Sequence, residues 1–218
     1  MIQEYIPGTN YSVAAICNEG KPRALCCIKV TRAWPPTGGN SCFRETVPIE
    51  PRMKEYSEKI LKALNWYGIA EVEFKLDSRD NTPKLMEINP RFWGSLPVAI
   101  KSGIDFPYLL YRLAMDGDIP NSFNYTVGVK GRYLEQDIMY IISLLTQSSL
   151  SPKLTAANPR KLVSLINWLK LYEPGLFYDL FELEDPIPFA RNSAQSVTDV
   201  IGLLKGKKYP GTYTDIRT

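Results

Sequence analysis

The sequence predicts an α+β fold with a mainly antiparallel sheet of about five to seven strands, and three observations carry that prediction. Two stretches read as β-hairpins, each a pair of β-forming runs split by a short polar turn. Apolar residues then recur at helical spacing after each hairpin. The composition is that of a folded globular chain: 218 residues, 44% hydrophobic and 22% charged. Helices over Pro51–Tyr67 and Leu96–Asp116 are expected to pack together on one face of the sheet, leaving the other face for charged residues.

The first hairpin joins Tyr11–Cys17 to Arg23–Thr31 through Asn18-Glu19-Gly20-Lys21, a turn in which glycine can take positive φ. A loop over Trp34–Ser41 follows, rich in Pro and Gly. Glu50–Tyr67 reads as a helix, with Pro51 suited to its first turn and Gly68 to its end. The second hairpin joins Ile69–Leu76 to Lys84–Ile88 across the polar loop 77–83. Helical spacing returns over Leu96–Gly103 and Phe106–Asp116. Beyond Gly117 the sequence predicts a strand within 121–132, helices over Tyr133–Leu145 and Asn158–Tyr172, and a Ser/Pro/Thr-rich connection over Gln147–Ala157 between them. The last forty residues, with Pro186, Pro188 and Pro210, read as loop-rich.

Absences narrow the chemistry. The chain has no histidine, which excludes Ser-His-Asp triads, Cys-His dyads and histidine metal sites within it. Cys17, Cys26, Cys27 and Cys42 show no C-x-x-C spacing and read as reduced small hydrophobes, with Cys42 the one to test as a reactive thiol. A net charge of +3 is too balanced to indicate a nucleic-acid partner. No apolar stretch is long enough for a membrane span and the start lacks a signal-peptide profile, so a soluble, cytoplasmic protein is expected. Carboxylates, Arg, Lys, Asn and backbone groups must do the work.

The second hairpin concentrates them. Glu71 and Glu73 lie two apart on one strand, Glu87 and Asn89 two apart on the next, so each pair shares a face, and Arg91 continues the parity past Pro90. Pairing across the loop sets Glu73 near Glu87. Facing carboxylates repel by a few tenths to about 1 kcal/mol unless a cation lies between them. Mg²⁺ suits the place, because it takes one or two carboxylates and completes its shell from water and phosphate. Glu71 alone reads as a solvated strand residue. Trp93 reads as a core anchor.

These residues carry a family resemblance. V-E-F-K-x-D at 72–77 followed by M-E-I-N-P-R-F-W-G-S at 86–95 resembles the metal-binding hairpin of the ATP-grasp superfamily, in the branch of the carbamoyl phosphate synthase large chain and biotin carboxylase. Q-E-Y-I-P-G at 3–8 resembles the adenine-cupping linker of those enzymes, and 29–41 their substrate-side strand and loop. The tail resembles them weakly, through 178–188. The resemblance implies ATP with Mg²⁺ or Mn²⁺, and ligation of a small carboxylate to an amine through an acyl phosphate. It implies that Glu73, Glu87 and Asn89 hold metal and that Arg91 holds the transferring phosphate. It further implies that Gln3, Glu4, Tyr5 and Ile6 contact adenine, and that Lys29 and Arg32 face the substrate, with backbone N–H groups of Gly38-Gly39 near a substrate anion. Residues 1–120 would form the C-terminal subdomain of the fold and 121–218 an extension packed on it. An N-terminal half, in cis or in trans, would complete the ligase, and a homodimer is compatible. A non-catalytic binding or scaffolding module and an unrelated surface-interaction protein are the alternatives.

Overall fold

The computed structural model describes residues 3–35, 39–146, 161–170 and 172–204. Seven strands form one sheet: β1 (Gly8–Asn18), β2 (Lys21–Trp34), β3 (Asn40–Thr46), β4 (Gly68–Asp77), β5 (Pro83–Asn89), β6 (Lys130–Arg132) and β7 (Leu176–Tyr178). Their order is β5-β4-β1-β2-β3-β6-β7, antiparallel throughout except for the β6–β7 pair. The helices are α1 (Pro51–Ala63), α2 (Leu96–Lys101), α3 (Phe106–Asp116), α4 (Leu134–Thr146), α5 (Lys161–Trp168) and α6 (Ile187–Leu204).

Both predicted hairpins are present. Glu19 and Gly20 both take positive φ in the β1–β2 turn, the twist that a two-residue hairpin needs. The strand Asn40–Thr46 was not foreseen, because it follows directly on turn-forming residues. Close approach explains part of that turn composition: a Cβ on Gly39 would lie 2.2 Å from the Trp34 carbonyl oxygen. Gly38 lies outside the described residues.

The helices do not share one face. Met53 and Leu61 of α1 pack with Val13, Ala15, Cys27 and Val72, whereas Ala99 of α2 and Phe106 and Leu113 of α3 pack with Ala14, Ile16, Cys26 and Ile28. Alternate residues of β1 thus enter opposite layers. The uninterrupted apolar run Val13–Cys17 is what a strand covered on both faces requires. Trp93 anchors the second layer, edge-on to Phe106 at 5.2 Å.

Other boundaries shift for local reasons. Helix α1 begins at Pro51 with the Glu50 side chain accepting from the Met53 amide, but it stops at Ala63, and Asn65 takes a left-handed conformation before Gly68 is reached. The strand expected within 121–132 contracts to Lys130–Arg132. The tail is less loop-rich than its prolines suggest. Pro188 is the second residue of the 18-residue helix α6, and the Pro186 carbonyl accepts from the Ala190 amide. A proline in a first turn loses no intrahelical bond. The connection 147–157 and residues 158–160 lie outside the described part. Strands β6 and β7 extend the same sheet past residue 120, and the Thr46 amide donates to the Val129 carbonyl across that boundary. Among the described residues no helix is long and apolar enough to cross a membrane.

Candidate functional site

Register builds the acidic hairpin. Glu73 pairs with Glu87 and Glu71 with Asn89, with an irregularity between Glu73 and Phe74 that leaves Met86 without an opposite residue. The Asn89 amide Nδ2 donates to Glu73 Oε1 at 3.0 Å, to Glu87 Oε1 at 3.2 Å and to Glu71 Oε2 at 3.3 Å. One positive amide edge thus serves three carboxylates.

Glu71 is not the solvated residue that its spacing suggested. It is 6% exposed and hydrogen-bonds the Ser12 side chain from the neighbouring strand. Burial, then the charge of Glu73, pushes its carboxyl up to about 7. Glu73 is raised too, by burial first and then by Glu87. Arg91, exposed just past the strand, donates to the Phe92 carbonyl at 3.1 Å and reaches Asn89 Oδ1 at 3.5 Å.

The hairpin face opens into a cleft of about 520 Å³. Ser12, Glu71, Glu73 and Arg91 line it, together with Arg44, Trp93, Tyr133, Gln136 and Asp179. Helices α2 and α3 cover the same side of the sheet, so the acidic residues share their face with these helices and stand opposite α1. The expected arrangement holds for α1 and fails for α2 and α3, which lie on the acidic face. Residue alternation on β4 decides it: Ala70, Val72 and Phe74 enter the α1 layer, which turns Glu71 and Glu73 the other way.

The remaining expected residues fall in different places. Residues 3–7 run past the hairpin tip: the Ser78 amide donates to the Pro7 carbonyl at 2.9 Å, and Arg79 contacts Glu4 at 3.2 Å. Gln3, Glu4 and Tyr5 are exposed and Ile6 is half-buried. The Tyr5 ring lies 5.3 Å from Lys75 Nζ, and Lys75 shares the parity of Glu71 and Glu73. Lys29 is not brought to the cleft. It sits between Ile28 and Val30, which face the cleft side, so it points to the other face and meets Glu45 at 3.5 Å. Arg32 is committed elsewhere: its guanidinium makes a two-pronged bond to Asp137, at 2.5 and 2.8 Å.

Cys42 is fully buried, and burial followed by the negative charge of Asp137 pushes its thiol well above the usual range, so it is no reactive thiolate. Burial likewise pushes Cys17, Cys26 and Cys27 up to about 12. Sequence reasoning missed Arg44, Gln136 and Asp179. Arg44 and Asp179 are 135 residues apart along the chain and meet as an ion pair. Its local signal was slight: Arg44 alternates with Phe43 on the unassigned strand.

The chain belongs to the ATP-grasp class. Its family is the one described as ATP-grasp in the biosynthetic pathway with Ter operon, whose model matches residues 1–136. A comparison with curated proteins finds no match. Among solved structures the chain is similar to a biotin carboxylase from Campylobacter jejuni, with 18% identity and a TM-score of 0.49 over 59% of this chain and 30% of that one. It is similar to pyruvate carboxylase from Rhizobium etli, with 16% identity and a TM-score of 0.46 over 56% and 13%. It is also similar to an L-amino acid ligase from Bacillus licheniformis, with 19% identity and a TM-score of 0.42 over 51% and 30%. The chain therefore spans less than a third of the length of each of these proteins.

Proposed function

We propose that this chain carries the metal- and phosphate-handling face of an ATP-dependent ligase that joins a carboxylate to an amine through an acyl phosphate. The observation behind the reading is the convergence of Glu73 and Glu87 on one amide, beside a cleft that Glu73 and Arg91 line. The donor set fits a hard divalent cation. It is all oxygen once Asn89 offers Oδ1 in place of its N–H, and Mg²⁺ or Mn²⁺ matches the carboxylates better than an amide edge does. Among the described residues no group of three acidic or thiol side chains is placed to hold a metal ion. When bound, the metal neutralises charge on the phosphoryl oxygens.

The chain's own residues divide the remaining work. Glu73 and Glu87 would hold the metal, and Asn89 would complete its protein ligands. Arg91 presents an exposed guanidinium whose planar fork matches phosphate or acyl-phosphate oxygens. The segment Gln3–Ile6, which runs past the tip of that hairpin, would border the adenine end, with Tyr5 beside Lys75. Neither Lys29 nor Arg32 enters this reading.

Mn²⁺ binding followed by electron paramagnetic resonance, with and without ATP, tests it. Binding is expected to be weak alone, to tighten when ATP is present, and to disappear in Glu87→Gln. Arg91→Lys should lose the ATP-dependent gain nearly as completely as Arg91→Ala, because lysine keeps the charge but not the fork. Mn²⁺ binding that ignores Glu87→Gln would remove the metal assignment.

A further inference from the structure

Arg91 sits in a loop that holds itself only loosely. Residues 90–95 join β5 to α2 without strand or helix, and Arg91 and Phe92 are both exposed. The Arg91 side chain bonds close neighbours in the chain, the Phe92 carbonyl at 3.1 Å and Asn89 Oδ1 at 3.5 Å, so its direction follows the loop backbone. Contacts from outside the loop hold that backbone. Trp93 packs edge-on to Phe106, and Arg44 of β3 donates to the Gly94 carbonyl at 3.2 Å.

The nitrogen that reaches Gly94, Arg44 Nη2, also donates to Asp179 Oδ2, while Nη1 donates to the Ser41 carbonyl at 3.1 Å. Asp179 belongs to the tail. It follows β7, lies beyond the residues 1–136 that the family model matches, and its amide donates to the Arg132 carbonyl at 3.1 Å. Gly131 lets these parts close on one another: a Cβ there would fall 2.5 Å from Val98 Cγ2 of α2 and 3.3 Å from Asp179 Oδ1. A bond between two charged groups is roughly twice as strong as one to a neutral carbonyl, so Asp179 dominates where the Arg44 guanidinium points. Without that carboxylate a buried charge beside the cleft would turn from Gly94 towards water.

We propose that Asp179 is a positioning residue for Arg91. Acting through the Arg44 guanidinium, it fixes the loop 90–95 and with it the direction in which the Arg91 fork faces the cleft. The tail beyond the matched residues is thereby part of the binding machinery, not only an extension of the sheet. The phosphate role of Arg91 rests on the function proposed above, whereas the hold of Asp179 on the loop requires neither nucleotide nor metal.

Amide exchange read by NMR on the intact chain, in metal-free buffer without ATP, tests the positioning by itself. The Leu96 amide donates to the Trp93 carbonyl and the Val98 amide to the Ser95 carbonyl, both at 3.1 Å, so these two report on the loop. Asp179→Ala should speed their exchange about tenfold, while Val13 and Ala14, paired on both sides in β1, stay within about twofold. Unchanged rates at Leu96 and Val98, or an equal rise in β1, would overturn the proposal. Should Asp179→Ala not fold, Asp179→Asn, which keeps the size and one acceptor but not the charge, decides by the same comparison, with about fivefold expected. Mn²⁺ binding then tests what the held loop does. Asp179→Ala should lower the ATP-dependent gain in Mn²⁺ affinity about tenfold, leave binding without ATP within about twofold, and add nothing to Arg91→Ala in the double variant. Losses that simply add would show Asp179 acting by another route and would also overturn it. If the parent chain shows no such gain, the phosphate role of Arg91 falls, and the exchange rates alone decide the proposal.

Discussion

The Arg32–Asp137–Arg132 network and the Glu71–Glu73–Glu87–Asn89 cluster both hold charge against the same sheet, towards opposite edges. In the first, Asp137 is fully buried and accepts from Arg32 at 2.5 and 2.8 Å and from Arg132 at 2.6 Å. Arg132 spends its other donors on the Trp168 and Lys170 carbonyls, and Arg32 lies 4.2 Å over the Phe43 ring. In the second, three carboxylates share one amide nitrogen, and two of them are pushed upward in pKa. The closed network joins β2, β6 and α4 into the fold. The open cluster keeps a concentration of negative charge that a cation can settle. Charge on a strand therefore serves stability or binding according to whether its partners are already inside the chain.

The sharpest way to break this contrast is Asp137→Asn. It leaves two buried guanidinium charges without a carboxylate and is expected to cost about 3–5 kcal/mol in urea unfolding. A loss below about 1 kcal/mol would show that the network is not structural. Glu87→Gln should do the opposite. Stability should stay within about 0.5 kcal/mol or rise, because a like-charge pair is relieved, while Mg²⁺-dependent turnover in the proposed ligase reaction falls by about 100-fold or more, roughly 2.7 kcal/mol. Turnover within about tenfold of the parent would place the metal elsewhere.

A smaller effect should appear with pH. The carboxyl of Glu71 sits at about 7 in the fold against an ordinary 4.5, so folding favours its protonated form. That contribution is fully present below about 4.5 and is lost as pH rises through about 7. Asp80 is held near 2 by its Thr82 and Lys84 partners and stays ionised over this window. The metal-free chain should therefore melt highest near pH 5 and lose on the order of 2 kcal/mol by pH 7.5. Most of that slope should vanish in Glu71→Gln, and an unchanged slope would assign it to other groups. Least of all is expected from Lys29→Met. Its 3.5 Å pair with Glu45 is partly exposed and lies on the far face, so stability should move by about 0.5 kcal/mol or less. Turnover in the proposed ligase reaction should stay within about twofold, and a larger loss would return Lys29 to the site.

The hairpin was legible because its geometry is local. Consecutive strands joined by a short turn pair with each other, and residues two apart share a face, so Glu73, Glu87 and Asn89 could be brought together without any knowledge of the rest. Arg32 misled for the same reason. The family resemblance set it on the substrate side, but Asp137, which takes both prongs of its fork, lies 105 residues away. The two-sided burial of the sheet had a sequence signal in Val13–Cys17, whereas helix α6 was masked by prolines that in fact begin it.

The sequence by itself determined the strand pairing of both hairpins, the parity that gathers the carboxylates, and a chemistry without histidine, since these follow from period-two geometry and composition. Only the tertiary structure decided which face of the sheet each helix covers and which charged residues are already paired. It alone brought Arg44 and Asp179 together beside the cleft. Those outcomes depend on contacts between segments far apart along the chain, 105 residues for Arg32 and Asp137 and 135 for Arg44 and Asp179, and side-chain spacing along a chain carries no information about which distant group will neutralise a charge.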